Sequence, residues 1–324
     1  GIWALPEGDK RYLFAVHFWA TSPKTPDQIH EIGLAEVARI EKEIDELAKK
    51  AGYADGRTYR KAILKDPKYI AKSREQILDA YRRYIAQMEP KLPQLFGRLP
   101  KAKVIVTSVP EYMEKDNSTQ YLNGTPDGSR PGQVWVDTYD ATHHNMIEDE
   151  STAYHEGIPG HHMQISIAQE LPDYHPFHRG LFFSAFDEGW ALYAERLGKE
   201  VGFYQDPGSD LGRLQSELFR AVRLVVDTGV HWKRWTREQM VQFFEDHYGE
   251  TPQAEVDRYV AWPAQALGYK LGQLEILELR EKAHADLGTK FDLKAFHDEI
   301  LDAGGMPLDV MDARVRHWIE TQKR

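Results

Sequence analysis

Tyr154-His155-Glu156-Gly157-Ile158-Pro159-Gly160-His161-His162-Met163-Gln164 is the stretch that decides how this chain reads. From His155 to His162 it sets three imidazoles and one carboxylate within eight residues, in a sequence with no cysteine. Imidazole is the commonest protein ligand for zinc, and a glutamate beside a ligand is what a hydrolytic zinc site uses as its base. Two ligands on one helix share a face when they stand four apart, but the position four after His155 is Pro159. In an unbroken helix His161 stands about 240° round from His155, and His162 shares its face about 10 Å further along. Neither suits a single ion with bonds of roughly 2 Å. Pro159 removes a helical donor and clashes with the His155 carbonyl, so the helix must kink or restart there. Gly157 and Gly160 leave the backbone room to do so. A turn that swings the second half back toward His155 makes the irregularity part of the site. The competing reading is a helix corner carrying surface histidines.

Composition narrows the rest. A chain of 324 residues can bury a substantial core, and 41% hydrophobic with 11% aromatic residues is the composition of a folded globular protein. No run of about 18 apolar residues occurs, so no membrane span is predicted. The net charge of −10, with 51 acidic against 41 basic residues and no basic block, argues against nucleic acid as a partner. The absence of cysteine excludes disulfides, thiolate zinc sites and cysteine nucleophiles, and is compatible with an oxidising compartment. The opening Gly1-Ile2-Trp3 has neither Met nor a signal peptide, which reads as a chain processed or cut from a longer one.

Residues 1–26 read as aromatic-rich and irregular, with Pro6, Pro23 and Pro26 preventing a long helix. Thr25 or Asp27 can cap the next helix, in which Ile29, Ile32, Leu34, Val37, Ile40, Ile44 and Leu47 recur at helical spacing to about Lys50. His30 and the acids Glu36, Glu41, Glu43 and Glu46 fall on its solvated face. A short helix is predicted around 57–64 and a longer one from Ser73 to Met88. The segments 104–109 and 133–138 alternate and are β-branched, so they read as two strands of a small antiparallel sheet around the turn-rich 123–132. An open strand edge just before the histidine motif could pair with an extended peptide. From Asn145 onward the pattern is helical, near 146–157, 160–170, 178–198, 207–233, 236–247, 251–284, 291–302 and 307–321. Pro263 and Gly268 predict a bend or split in the helix over 251–284. No repeat, linker or domain boundary interrupts 1–324, read as one catalytic domain with a helical part over 1–100, a sheet over 101–140 and a helical metal-binding core over 141–324.

A catalytic zinc takes three protein ligands and keeps a position open, so a third ligand is needed on a second helix. The best candidate is Glu188 in Asp187-Glu188-Gly189-Trp190-Ala191-Leu192-Tyr193-Ala194-Glu195, 27 positions after His161. The flanking Leu181, Phe182, Phe183, Ala185, Phe186, Leu192 and Leu197 predict a buried helix, where an acid needs a partner. A salt bridge to Arg196 or Arg213 is the alternative. Glu195, two turns on, could orient an imidazole from behind. Arg223, Asp227 and His231 stand four apart on one stripe. Asp227 could hold one nitrogen of His231 and leave the other to donate to an oxyanion, or the three could form an ion-pair ladder. Tyr259 or Tyr269 could stabilise a tetrahedral intermediate, and Arg258 could hold a substrate carboxylate.

The histidine motif, the Asp187–Tyr193 segment, Gly1-Ile2-Trp3 with Pro6 and Gly8-Asp9, Gly128-Ser129-Arg130-Pro131-Gly132 and Asp227-Thr228-Gly229-Val230-His231 together resemble the bacterial domain of unknown function 885 family. That family is similar to helical zinc peptidases of the gluzincin type. The resemblance implies a mainly helical architecture with a small sheet before the metal-motif helix. A histidine following glycine favours His161 as second ligand, with His162 the alternative. Ala264-Gln265-Ala266-Leu267-Gly268-Tyr269 resembles a run that carries an oxyanion tyrosine in related oligopeptidases. The expected protein is a zinc metallopeptidase acting on short peptides, with one zinc per chain held by His155, His161 and Glu188. Glu156 is then the general base, His231 and Tyr269 stabilise the oxyanion, and Arg130, Arg258 and Tyr259 bind substrate. The resemblance also implies a further region before the point where this chain begins, and a periplasmic or other extracytoplasmic setting is compatible. Competing functions are hydrolysis of a non-peptide amide and a non-catalytic protein that keeps the fold.

Overall fold

A 25-residue helix, Pro207–His231, is the spine, and every residue from Ala221 to His231 in it is buried. A helix buried on all sides must be packed over by others, and here they come from both ends of the chain. The computed structural model describes residues 1–172, 176–179 and 181–324. Before the sheet lie α1 (Gly8–Ala20), α2 (Pro26–Lys50), α3 (Gly56–Lys65), α4 (Arg74–Met88) and the single turn α5 (Leu92–Leu95). The strands are β1 (Val104–Ser108), β2 (Gln120–Leu122) and β3 (Gly132–Val136). Then follow α6 (Asp149–Glu156), α7 (His161–Gln169), α8 (Pro176–Arg179), α9 (Ser184–Glu200) and α10, the spine. The chain closes with α11 (Arg237–His247), α12 (Gln253–Ala261), α13 (Gly268–Leu287), α14 (Leu293–Leu301) and α15 (Leu308–Lys323). The protein is mainly helical, and among the described residues no helix is long and apolar enough to cross a membrane.

Helix α2 starts at a capping box. Thr25 Oγ1 accepts from the Gln28 amide at 3.3 Å, and Gln28 Oε1 accepts from the Thr25 amide at 2.8 Å. Its buried face (Ile29, Val37, Ile40, Ile44 and Ala48) packs along α10. His30, expected on the solvated face, is instead buried, with Nδ1 2.8 Å from Thr228 Oγ1. The irregular segment expected over 1–26 contains α1. Pro6 and Pro23 bracket this helix without entering it, and Tyr12, Val16 and Ala20, four apart, bury against Leu224, Leu267 and Leu271. Full burial of each large apolar side chain contributes about 1.5–3 kcal/mol toward offsetting the entropy cost of ordering the segment.

The sheet also differs from expectation. Its order is β1-β3-β2, with β1 parallel and β2 antiparallel to β3, so it is mixed and not antiparallel. The segment between β1 and β3 carries the chain back to the starting end, which makes those two parallel, and the three-residue β2 becomes an edge. The helix predicted over 178–198 begins at Ser184; Leu181 and Phe182 lie outside it and are exposed, while Gly180 is outside the described residues. The split predicted near Pro263 and Gly268 is present, between α12 and α13. Helix α13 crosses α9 with Gly189 against Gly272, and this crossing carries Glu188 and Tyr269 on adjoining helices.

Candidate metal centre

Helix α6 ends at Glu156 and α7 begins at His161, so the motif is a helix break and restart. The Gly160 amide donates to the Tyr154 carbonyl at 2.9 Å, the His162 amide to the Gly157 carbonyl at 3.1 Å, and Trp190 Nε1 to the Pro159 carbonyl at 2.9 Å. Position 160 admits only glycine, because a Cβ there would lie 2.0 Å from the His155 carbonyl oxygen. The fold-back sets the rings of His155 and His161 edge to face, with centroids 4.9 Å apart.

Both imidazoles turn Nε2 toward one oxygen of Glu188, at 3.4 Å from His155 and 3.4 Å from His161. With bonds of about 2.0–2.1 Å at tetrahedral angles, the ligand atoms of a zinc ion stand about 3.3–3.4 Å apart, so this donor set fits that ion. On the far side of His155, Nδ1 donates to Glu195 at 2.8 Å, which fixes the tautomer that leaves Nε2 free to ligate. Glu156 also has a carboxylate oxygen within 4.8 Å of a ring nitrogen of each histidine, so His155, Glu156 and His161 form a group able to hold a metal ion. Glu188 lies at ion-pair distance from both rings. Burial opposes the charge of His155, but hydrogen bonds to Glu188 and Glu195 outweigh it and raise its pKa to about 9. Burial likewise opposes ionisation of Glu188, and the two imidazoles overcome it and hold the carboxyl well below its usual range. Glu156 is pushed up, chiefly by burial, which makes it a stronger base.

These side chains open on a cleft of about 640 Å³. Its lining includes β2 and its flanks (Ser118–Tyr121 and Asn123), then Tyr269, and then Arg220, Arg223, Glu255 and Arg258. Tyr269 is pushed up mainly by burial and next by the Glu188 charge. The salt bridges offered as the alternative for Glu188 go elsewhere: Arg196 pairs with Glu200, and Arg213 with Asp210.

Of the other expected site residues, only Arg258 is brought to the cleft among those described. His162 points away: Nε2 donates to the Ala102 carbonyl at 3.1 Å and Nδ1 accepts from the Tyr121 hydroxyl at 3.0 Å, so neither nitrogen is left for a metal. His231 is buried, donating from Nε2 to the Tyr259 carbonyl at 2.8 Å and accepting at Nδ1 from the Ile2 amide at 2.9 Å. It has no hydrogen to offer an oxyanion. Asp227 does not hold it, accepting instead from the Tyr12 hydroxyl at 2.7 Å and the Ala264 amide at 3.1 Å. Arg130 sits in the exposed turn and donates to the Asn123 carbonyl at 2.8 Å. Tyr259 is buried behind the cleft and supports Arg223 and Glu255. Arg258 does line the cleft, with its guanidinium engaged by Glu255 and Gln265. Sequence reasoning missed β2 and the presence of Arg220 and Arg223 in the cleft lining; their spacing, one turn apart on a buried helix, was the available signal.

The family model described as "Bacterial protein of unknown function (DUF885)" matches residues 3–315. The chain belongs to this family. A DUF885-like fold recurs in the crystal structure of a "putative lipoprotein" from Colwellia psychrerythraea, 41% identical, with a TM-score of 0.94 over 99% of this chain and 57% of that one. A "putative lipoprotein of unknown function" from Shewanella oneidensis shares the fold at 23% identity, with a TM-score of 0.79 over 96% of this chain and 59% of that one. This DUF885 chain thus spans under two thirds of the length of both proteins. No curated protein matches it.

Proposed function

We propose that this chain is a zinc-dependent hydrolase that cleaves peptide bonds of short peptides, with a gluzincin-like ligand set of His155, His161 and Glu188. The observation that carries the reading is the convergence of both Nε2 atoms on one Glu188 oxygen at the tetrahedral edge length, with Glu156 beside them in an open cleft. A bound zinc supplies Lewis acidity to the scissile carbonyl and lowers the pKa of its water. Glu156 takes a proton from the attacking water onto its carboxylate and passes it to the leaving amine. The Tyr269 hydroxyl donates to the oxygen on which charge develops. Glu195 keeps His155 in the ligating tautomer. The outer edge of β2, whose partner on the other side is β3, pairs with the substrate backbone as an added strand. A setting outside the cytoplasm is part of this reading, supported by the absence of cysteine and by the lipoprotein description of the two similar structures.

The test is hydrolysis of a short-peptide library by the wild-type chain and by Glu156→Gln, each with measured zinc content. Zinc-dependent cleavage that disappears in Glu156→Gln while zinc is retained supports the reading. No cleavage by zinc-loaded wild type, or near wild-type turnover in the variant, overturns it.

A further inference from the structure

The cleft is not uniform in charge. Its metal-binding side carries Glu156 and Glu188, whereas another wall carries Arg220, Arg223 and Arg258 against the single carboxylate Glu255. Three guanidinium groups at one cavity are a strong local exception in a chain of net charge −10. Their hydrogen bonds show which are already committed. Arg258 gives Nη1 to Glu255 and Nη2 to Gln265. Arg223 gives Nε to the Tyr259 hydroxyl at 2.9 Å and Nη2 to Glu255 at 3.0 Å. Its Nη1 is buried and has no partner among the described residues, and neither has Nε of Arg220. Among the described residues Arg220 otherwise hydrogen-bonds only to Ser216, one turn back on its own helix.

Arg223 is only 5% exposed, so the unpaired Nη1 is costly unless a ligand supplies an acceptor. The guanidinium is also held in place before any ligand arrives. It stacks over Phe219 at 4.4 Å and over Tyr269 at 4.7 Å, with Arg220 5.9 Å from the Tyr269 ring. Tyr269 therefore links the two walls, touching the arginines with its ring while lying in the field of Glu188. A preorganised, stacked guanidinium that keeps one nitrogen unpaired, with a second unpaired guanidinium nitrogen on Arg220, is suited to recognising a carboxylate.

We infer that Arg220 and Arg223 form a carboxylate-binding subsite, so that the peptides this cleft takes end in a free α-carboxylate and are cleaved near that end. This rests on the proposed peptidase reading for its cleavage step, but the binding preference can be measured without turnover. Glu255 limits the subsite to one anionic group, because it already neutralises much of Arg258 and part of Arg223. Tyr259, buried behind Arg223, is a positioning residue for the fork.

The experiment uses an N-acetylated tripeptide with a free C-terminus and the same tripeptide as its C-terminal amide. Their affinities for the Glu156→Gln chain, which cannot turn them over, are measured by calorimetry. The acid should bind about 10- to 100-fold more tightly than the amide, the range expected for hydrogen bonds to a charged group. Arg220→Gln should remove most of that preference, weakening the acid far more than the amide. Arg223→Gln should act the same way if it folds; Arg220→Gln, at the less buried position, keeps the test decisive if it does not. Equal affinities, binding of neither peptide, or a preference unchanged in Arg220→Gln overturns the subsite. Equal cleavage of acid and amide by wild type would sink this inference and leave the peptidase reading standing. A binding preference without any cleavage would do the reverse.

Discussion

The crossing of α9 and α13 gives a graded test, because three glycines there have different amounts of room. A Cβ on Gly272 would lie 1.9 Å from the Ala185 carbonyl oxygen and 2.7 Å from Gly189 Cα. One on Gly189 would lie 2.4 Å from Gly272 Cα and 2.6 Å from its carbonyl carbon. One on Gly268 would meet Ala185 at 3.1 Å, a contact that a small shift relieves. Against these clashes stands a favourable term, since alanine is better than glycine in a helix by about 0.8–1.0 kcal/mol. Overpacking costs about 1–3 kcal/mol, and more where the obstacle is backbone on both sides. The balance makes Gly268→Ala near neutral, Gly189→Ala destabilising by about 1–2 kcal/mol and Gly272→Ala by about 2 kcal/mol or more. Each kcal/mol lowers Tm by about 2–4 °C in a domain of 150–250 residues and by less in a larger one, so a loss of about 2 kcal/mol lowers Tm in this 324-residue chain by less than about 4–8 °C. Circular dichroism melts with parallel urea titrations give the order. Gly272→Ala as stable as wild type, or a reversed order, would refute the close crossing that places Glu188 beside Tyr269.

Gly160→Ala should push the His155 and Tyr154 carbonyls away from their fold-back positions, 2.0 and 2.4 Å from the added carbon, and lower zinc affinity about 10- to 100-fold; unchanged affinity in a metal titration would mean the break tolerates a side chain. Tyr269→Phe should lower turnover about 10²–10³-fold with zinc retained, as for loss of one oxyanion donor. His231→Ala should instead destabilise the fold by about 2–4 kcal/mol, through two lost buried hydrogen bonds and a cavity, with turnover per folded molecule preserved; a specific loss of turnover would return His231 to the catalytic machinery. Burial raises Asp227 to about 7, above its unfolded value, so its ionisation disfavours the fold increasingly as pH rises through that window. Asp227→Asn should therefore gain on the order of 3–4 kcal/mol relative to wild type between about pH 4 and about pH 8, and a pH-independent difference in urea titrations would contradict this.

What the sequence made legible was local chemistry. The impossibility of an unbroken helix through Pro159 follows from one ring and one carbonyl, and the chain does break between Glu156 and His161. The Thr25–Gln28 cap and the split before Gly268 were readable for the same reason. Glu188 was reachable because an acid beside apolar residues must have a partner. The misreadings lie where distant segments compete for a group. Asp227 and His231 are four apart on one stripe, yet Tyr12, Ile2, Tyr259 and Ala264 arrive from other elements and take their hydrogen bonds. His162 is adjacent to His161, but restarting the helix sends it to the Ala102 carbonyl. Strand β2 has three residues and no alternating run of its own, so only its pairing with β3 reveals it. Helix α1 was concealed by reading its bracketing prolines as interruptions.

The central claim is that His155, His161 and Glu188 hold one metal ion while Glu156 does not. Metal content by mass spectrometry, on chains loaded with zinc and then desalted, tests it most directly. The account predicts one zinc per chain in wild type and in Glu156→Gln, and loss of zinc in His155→Ala, His161→Ala and Glu188→Ala. Full zinc in Glu188→Ala, or none in wild type, would contradict it.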